Sequence, residues 1–335
     1  MKAYEIQENW GIDQLVLAER AQPEPGPGEV LVKMRAASLN YRDLLVIKGH
    51  YNPRMSRPRV PCSDGAGEVV ALGEGVARVS LGDRVMGIFS HTWIDGGPTR
   101  DKTRASLGGD EDGVLTEYAI LDEQGVVKVP EYLSDVEAAT LPCAAVTAWN
   151  ALVCQGNVRA GDSVLLLGTG GVSLFALQFA KLHGARVLIT SSSDDKLARA
   201  RELGADECIN YRSSPDWEKR VLELTQGEGV DHVIELGGAG TLPKSLRAVR
   251  NGGTIALIGV LSGAKEFNPL PILMRSIRIN GIYVGSRTMF EQMTRAMALH
   301  QIRPVVDREF EFGEAPDALR HMESGSHFGK IAIRF

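Results

Sequence analysis

Asp162-Ser-Val-Leu-Leu-Leu-Gly-Thr-Gly-Gly-Val-Ser-Leu-Phe-Ala-Leu-Gln-Phe-Ala-Lys-Leu-His-Gly184 is the stretch from which the fold can be read. The apolar run Val164 to Leu167 predicts a fully buried strand, and Gly168-Thr169-Gly170-Gly171 a tight turn after it. Val172, Phe175, Ala176 and Phe179 then recur at helical spacing until Gly184 stops the helix. Strand, glycine turn and helix in that order form the first half of a dinucleotide-binding βαβ unit. The small residues let the backbone approach a pyrophosphate, and the helix N-terminus offers it free N–H groups and a positive dipole end. The third glycine of G-x-G-x-x-G is Ser173 here, which is small enough for close helix–strand packing. An ordinary βα turn would look the same in isolation, so the flanks decide.

Downstream, strands and helices alternate. Strands are expected at 186–190, 208–210, 230–236, 254–259 and 277–284, with helices over 194–203, 215–224 and 241–249 between them. Six strands in this rhythm, counting 164–167, predict a doubly wound parallel sheet. Upstream the texture is β-rich, with strands expected at 30–36, 67–72, 84–89 and 114–120. Residues 91–112 are polar and glycine-rich with little periodicity, which reads either as a substrate lid or as a floppy surface loop. The final strand, 330–335, is expected to return to the first domain.

The bulk composition is compatible with this division. A chain of 335 residues is too long for one simple core, so two domains are expected. Apolar content of 44% and charged content of 24% are those of a globular protein. A net charge of −5 gives no electrostatic reason to bind nucleic acid or an anionic membrane. The four cysteines, Cys62, Cys143, Cys154 and Cys208, lack C-x-x-C spacing and suit a reducing compartment. The first residues show no apolar signal region and no run reaches membrane-spanning length, so a cytoplasmic location is expected.

With Gly65-Ala-Gly-Glu-Val-Val70, Gly82-Asp-Arg-Val85, Ala138-Ala-Thr-Leu-Pro-Cys-Ala-Ala-Val-Thr-Ala-Trp149, Gly168-Thr-Gly-Gly-Val172, Leu203-Gly-Ala-Asp206 and Gly329-Lys-Ile331 in this order, the chain resembles the medium-chain dehydrogenase/reductase superfamily over nearly its whole length. The resemblance implies a GroES-like, β-rich catalytic domain (1–128 and 286–335) and a Rossmann domain (129–285) with a doubly wound six-stranded parallel sheet.

Zinc alcohol dehydrogenases of that superfamily take three catalytic ligands. At the matching positions this chain has Asn40, in Asn40-Tyr-Arg-Asp43, and Ser63, in Cys62-Ser-Asp64. Only Cys143 keeps a ligand type. A catalytic zinc needs three protein ligands at about 2.0–2.3 Å. The four-cysteine structural lobe is also missing, because no Cys lies between 90 and 112. No metal is therefore expected, although Cys62 and Asp64 leave room for an irregular site. Without a Lewis acid, unactivated alcohols are hard to oxidise, whereas hydride addition to a conjugated carbonyl leaves an enolate that hydrogen bonds can stabilise. The chain resembles the zinc-independent quinone oxidoreductase and enoyl reductase branches, which use NADPH.

The second strand ends in Thr190-Ser191-Ser192-Ser193 with no acid at its tip, the position where NAD selectivity normally places one. Ser191, Ser192, Lys196 and Tyr211 are expected to hold a 2′-phosphate, since hydroxyls and a cation suit it. The alternative is a plain helix N-cap with Lys196 on a solvated face. Gly168, Thr169, Gly170, Gly171 and Val172 would face the pyrophosphate. The resemblance places Asn40, Thr147, Val260, Val284 and Ser286 at the nicotinamide end, counts Leu236 among the cofactor-binding residues, and makes Arg287 or Lys330 a phosphate partner. It also makes Tyr51 a candidate proton donor, with Tyr41 second, and lets Asn40 hold either the substrate carbonyl or the nicotinamide ribose. The bland alternative for both tyrosines is packing. A homodimer through the sheet edge 277–284 is expected. The rival readings are an alcohol dehydrogenase or aldehyde reductase, and a non-catalytic NADPH-binding module.

Overall fold

The computed structural model describes residues 1–259, 266 and 268–335. Contacts divide the chain into two compact units, Met1–Val146 with Gly285–Phe335, and Thr147–Val284. The first break falls later than the change of sequence texture near 129. The helix that follows that change packs on strands of the first unit, so the onset of helix does not mark a domain boundary.

In chain order the first unit holds strands Lys2–Ile6 (β1), Leu15–Glu19 (β2) and Glu29–Ser38 (β3), then helix Tyr41–Ile47 (α1). Strands Asp64–Leu72 (β4) and Arg84–Gly87 (β5) precede the short helix Arg100–Thr103 (α2). Tyr118–Asp122 (β6), Val126–Lys128 (β7) and helix Asp135–Ala139 (α3) follow, and the break falls inside helix Val146–Trp149 (α4). The second unit runs Ser163–Leu167 (β8), Gly171–Leu182 (α5), Arg186–Ser191 (β9), Asp194–Glu202 (α6), Glu207–Asn210 (β10) and Trp217–Leu224 (α7). It continues with Val230–Glu235 (β11), Leu242–Ala248 (α8), Val249–Leu257 (β12), Leu270–Met274 (α9) and Arg278–Gly281 (β13). The chain then returns to the first unit with Arg287–His300 (α10), Val306–Glu311 (β14), Ala315–Glu323 (α11) and Lys330–Arg334 (β15).

The second unit's sheet has the order β10-β9-β8-β11-β12-β13, parallel throughout the described residues. Leu165, Leu188, Val233 and Ile255 are fully buried within it, and Trp217, Val221, Leu242 and Leu246 pack with them. Strands covered on both faces read as continuous apolar runs, which is why this half was predictable. The expected last strand, 277–284, shortens to 278–281, since Val284 sits at φ +39°, outside strand geometry.

In the first unit a larger sheet runs β14-β15-β3-β4-β5-β7, with β6 also on β3. β15 pairs antiparallel with β3, Ala332 opposite Ser38. Continued by two residues, that register carries Lys330 to Asn40. The strand expected at 114–120 lies at 118–122, because Leu115 is taken up by a bond from Tyr4 N–H (3.0 Å). Residues 91–112 are exposed over 95–101 but not featureless. Trp93 is fully buried, Thr99 caps α2, Ser90 bridges to Ser106, and Trp93 and Ile94 accept bonds from the N–H groups of Arg287 and Thr288 (both 3.0 Å).

Glu235 ends β11 fully buried and accepts from Gly237 N–H (2.8 Å), Gly238 N–H (3.0 Å) and the hydroxyls of Thr241 and Ser245. Truncation would strand four donors. Glu235→Ala is expected to lower the unfolding free energy by about 3 kcal/mol or more in urea denaturation. A loss below about 1 kcal/mol would show that the carboxylate does not hold this loop.

Candidate active site

The glycine turn of the second unit is built to face a ligand. Gly168 has φ +81°, and a Cβ on Gly168 or Gly170 would meet nothing within 4 Å, so the backbone borders open space. Helix α5 starts at Gly171 with Gly170 as its N-cap and no side-chain cap, leaving its first N–H groups for an anion. Ser173, standing at the third glycine position, is fully buried and donates to Leu167 O at 3.0 Å. Its hydroxyl is satisfied at no cost to the turn. Thr169 is buried and Val172 half-buried beside it. A pyrophosphate fits this cradle.

The 2′-phosphate candidates converge at the C-terminal ends of β9 and β10. Tyr211 N–H donates to Ser191 O (3.0 Å), Ser191 Oγ accepts from Ser193 N–H (3.3 Å), and Ser193 Oγ caps α6 by accepting from Lys196 N–H (3.4 Å). Ser192 is half-buried and Tyr211 exposed. Asp194, a potential repeller of phosphate, accepts from Asn210 Nδ2 at 2.8 Å. Leu236 is half-buried after β11, and Thr147 is buried in α4. One turn on, Asn150 donates to the carbonyl of Val284 (2.8 Å), tying together the two ends of this unit. Positive φ at a β-branched residue is strained, and this bond helps to hold it. Val260 lies outside the described residues.

In the first unit, Asn40 follows β3 and enters α1, and its N–H donates to Asp43 Oδ2 (2.8 Å). Lys330 is 4% exposed and donates to Leu39 O and Asn40 Oδ1, both at 2.6 Å. Asn40 Nδ2 donates to Ser63 Oγ (3.4 Å), Ser63 Oγ to Asp64 Oδ1 (2.7 Å), and Cys143 N–H to Asp64 Oδ2 (3.0 Å). Cys62 precedes this pair at φ +70°, and a Cβ on Gly113 would lie 2.0 Å from its carbonyl oxygen. Only glycine at 113 lets this bent segment sit so close. Burial pushes the Cys143 thiol up to about 12, with Asp64 adding to the effect, and raises Cys62 as well. Neither is therefore a ready thiolate. Burial also raises Asp43, against the opposing pull of Arg42.

The remaining candidates sort by exposure. Tyr51 and Tyr41 are 44% and 45% exposed, so neither is a core packing residue. Arg42 lies over the rings of Phe89 (4.6 Å) and Tyr51 (5.8 Å) and donates to Leu107 O (2.6 Å). Ser286 is buried as the N-cap of α10, accepting from Met289 N–H (3.3 Å). Arg287 donates to the backbone and side-chain oxygens of Gln124 (both 2.8 Å). Arg287 bonds to Gln124 and Lys330 to Leu39 and Asn40, all inside the first unit.

Residues 26–131 match the family described as alcohol dehydrogenase GroES-like domain, and residues 171–299 the one described as zinc-binding dehydrogenase. A zinc-type alcohol dehydrogenase-like protein of Schizosaccharomyces pombe is 45% identical over 332 residues, covering 97% of this chain and 96% of that protein. The chain belongs to the medium-chain dehydrogenase/reductase family. A crystal structure of a putative alcohol dehydrogenase from Sinorhizobium meliloti superposes with TM-score 0.92 at 44% identity, covering 100% of this chain and 99% of the other. More distant family members include acryloyl-coenzyme A reductase of Metallosphaera sedula, 30% identical over 94% of this chain and 95% of its own length. Human quinone oxidoreductase is 28% identical over 97% of this chain and 95% of its own length. The structure of a mycobacterial protein complexed with NADPH has TM-score 0.85 at 28% identity, each chain covered completely. This family membership makes the chain an oxidoreductase with a pyridine nucleotide cofactor.

The family description implies zinc, but the donor set does not fit it. Asn40 gives its amide oxygen to an ammonium, Ser63 gives its hydroxyl hydrogen to Asp64, and of the three positions only Cys143 keeps a ligand type. Among the described residues no group of three His, Cys, Asp or Glu side chains could hold a metal ion. Reading the sequence position by position identified the lost ligands but not the network that replaces them. The one available signal was the terminal Gly329-Lys330 pair, whose lysine meets Asn40 only through the β3–β15 register.

Proposed function

We propose that this oxidoreductase reduces an α,β-unsaturated carbonyl compound or a quinone, uses NADPH and works without zinc. The observation that carries the reading is the buried Lys330–Asn40–Ser63–Asp64 network at the position where zinc members bind metal. Such a site supplies hydrogen-bond donors, which suit an enolate better than they suit alkoxide formation from an unactivated alcohol. The hydroxyls of Ser191 and Ser192 with Lys196 and Tyr211 favour NADPH over NADH, and an NADPH-bound neighbour is consistent with that choice.

A nicotinamide held here would supply a hydride for the electrophilic carbon of the substrate. The chain's own residues do the rest. The exposed Tyr51 hydroxyl delivers the proton that completes the saturated product, and Arg42 over its ring keeps that side chain in place. Asn40 offers an N–H to the substrate oxygen, and Thr147 orients the nicotinamide. Among the named relatives, acryloyl-coenzyme A reductase and quinone oxidoreductase fit this chemistry, while the alcohol dehydrogenase names support carbonyl–alcohol interconversion as the second reading.

Metal-free protein is expected to oxidise NADPH with an enone, an enoyl thioester or a quinone, and to leave a matched saturated aldehyde untouched. Tyr51→Phe should lower enone or enoyl kcat about a hundredfold with NADPH affinity unchanged. Turnover of the aldehyde alone, lost on chelation and restored by zinc, contradicts the proposal.

We also propose a homodimer through the β13 edge. That strand ends its sheet, and Leu270, Leu273 and Met274 beside it are 54%, 76% and 72% exposed. Leu273→Glu should shift sedimentation from dimer towards monomer. A native protein that sediments as a monomer at micromolar concentration removes the proposal.

A further inference from the structure

Lys330 is a buried cation whose position fixes the direction of every bond in its neighbourhood. A lysine ammonium carries donors only, so an asparagine amide that meets it must present its oxygen. The 2.6 Å contact to Oδ1 therefore turns the Asn40 NH2 group away from Lys330. One of its hydrogens goes to Ser63 Oγ at 3.4 Å, and that oxygen is free to accept because its own hydrogen is given to Asp64 at 2.7 Å. Asp64 is fully buried and held from the other side by the backbone of Cys143. The chain Lys330, Asn40, Ser63, Asp64 thus runs in one sense from cation to carboxylate. Among the described residues the second hydrogen of Asn40 Nδ2 has no acceptor.

We propose that Lys330 is a positioning residue, whose ammonium locks and polarises the Asn40 amide so that the remaining Nδ2–H serves as an oxyanion donor to the substrate carbonyl. The inference rests on the conjugate-reductase reading given above. An amide whose oxygen is engaged by a cation is a stronger donor through its nitrogen. A donor fixed before the reaction is worth most where negative charge develops, at the enolate oxygen. Ser63 and Asp64 take up the other N–H and keep the amide plane from rotating. In this site the lysine supplies the fixed positive charge that a metal supplies in zinc members, passing it on through an amide.

The test is a double-mutant cycle on the intact protein with NADPH and an enone as probe. Lys330→Met and Asn40→Ala should each lower kcat at least about tenfold, with KM for NADPH changed less than about twofold. The double variant should be no slower than Asn40→Ala alone, because the lysine acts through the amide. Lys330→Arg should recover part of the rate. If Lys330→Met instead raises KM for NADPH with kcat intact, or if the two losses multiply, Lys330 does not act through Asn40 and the proposal is overturned. Should Lys330→Met fail to fold, Lys330→Gln carries the same comparison. The lock has a second readout that needs no turnover: the side-chain NH2 signals of Asn40, assigned in 15N-asparagine protein by their loss in Asn40→Ala, should move on Lys330→Met. Unmoved signals overturn the lock. Absence of enone, enoyl and quinone turnover in the unsubstituted protein, with those signals moving, would instead sink the reductase reading.

Discussion

An ammonium group taken out of water costs several kcal/mol unless its surroundings return that energy, and much of the first unit's construction can be traced to meeting this demand at Lys330. The side chain is 4% exposed and makes no ion pair within 4 Å among the described residues. Compensation comes from two carbonyl oxygens in direct contact and from two fully buried carboxylates nearby, Asp43 and Asp64. The dependence is mutual. Burial raises Asp43, and Lys330 is among the groups that pull it back down. Removing one member leaves the others buried without their partner, so the group stands as a unit. It also makes the return of residues 285–335 obligatory, since β15 brings the lysine.

How much of this was legible in the sequence depended on the distance over which the deciding interaction acts. The β8–turn–α5 segment is decided locally, by an apolar run, three glycines and a 3.6-residue period. The alternation of strands and helices after it calls for parallel pairing through helical crossovers. Strands β1, β2, β7 and β14 escaped because segments of three to six residues carry too few positions for alternation to register. Asn40 could be singled out as standing at a lost ligand position, and so could Ser63. Their new role could not, because it depends on a lysine 290 residues away that only sheet register delivers. The same lysine, read by motif, pointed to a phosphate, and Ser286, read by position, pointed to the nicotinamide. The bonds that hold both side chains, Lys330 to Asn40 and Ser286 as the cap of α10, were not legible from either reading.

The two candidate sites impose different demands. Around the glycine turn the chain leaves room: Gly168 and Gly170 border open space and α5 begins uncapped. Around Asn40 the chain leaves almost none, and the strained φ of Cys62 and the bare Gly113 record how closely its segments are pressed. An anion is held by what is left open, a reacting oxygen by what cannot move. One family hosts carbonyl, enoyl and quinone chemistry on this plan, so the fold alone does not choose among them. The choice here is argued from the donors at Asn40 and Tyr51, with the lysine behind the first of them.

The most direct test of that choice follows the hydride itself. An enone is reduced with NADPH carrying deuterium on the transferable face of nicotinamide C4, and the product is examined by NMR. The account predicts deuterium on the β-carbon of a saturated ketone, with the α-position filled from solvent. Deuterium on the carbonyl carbon of an allylic alcohol would contradict it, and would place the chain with the alcohol dehydrogenases in chemistry as well as in fold.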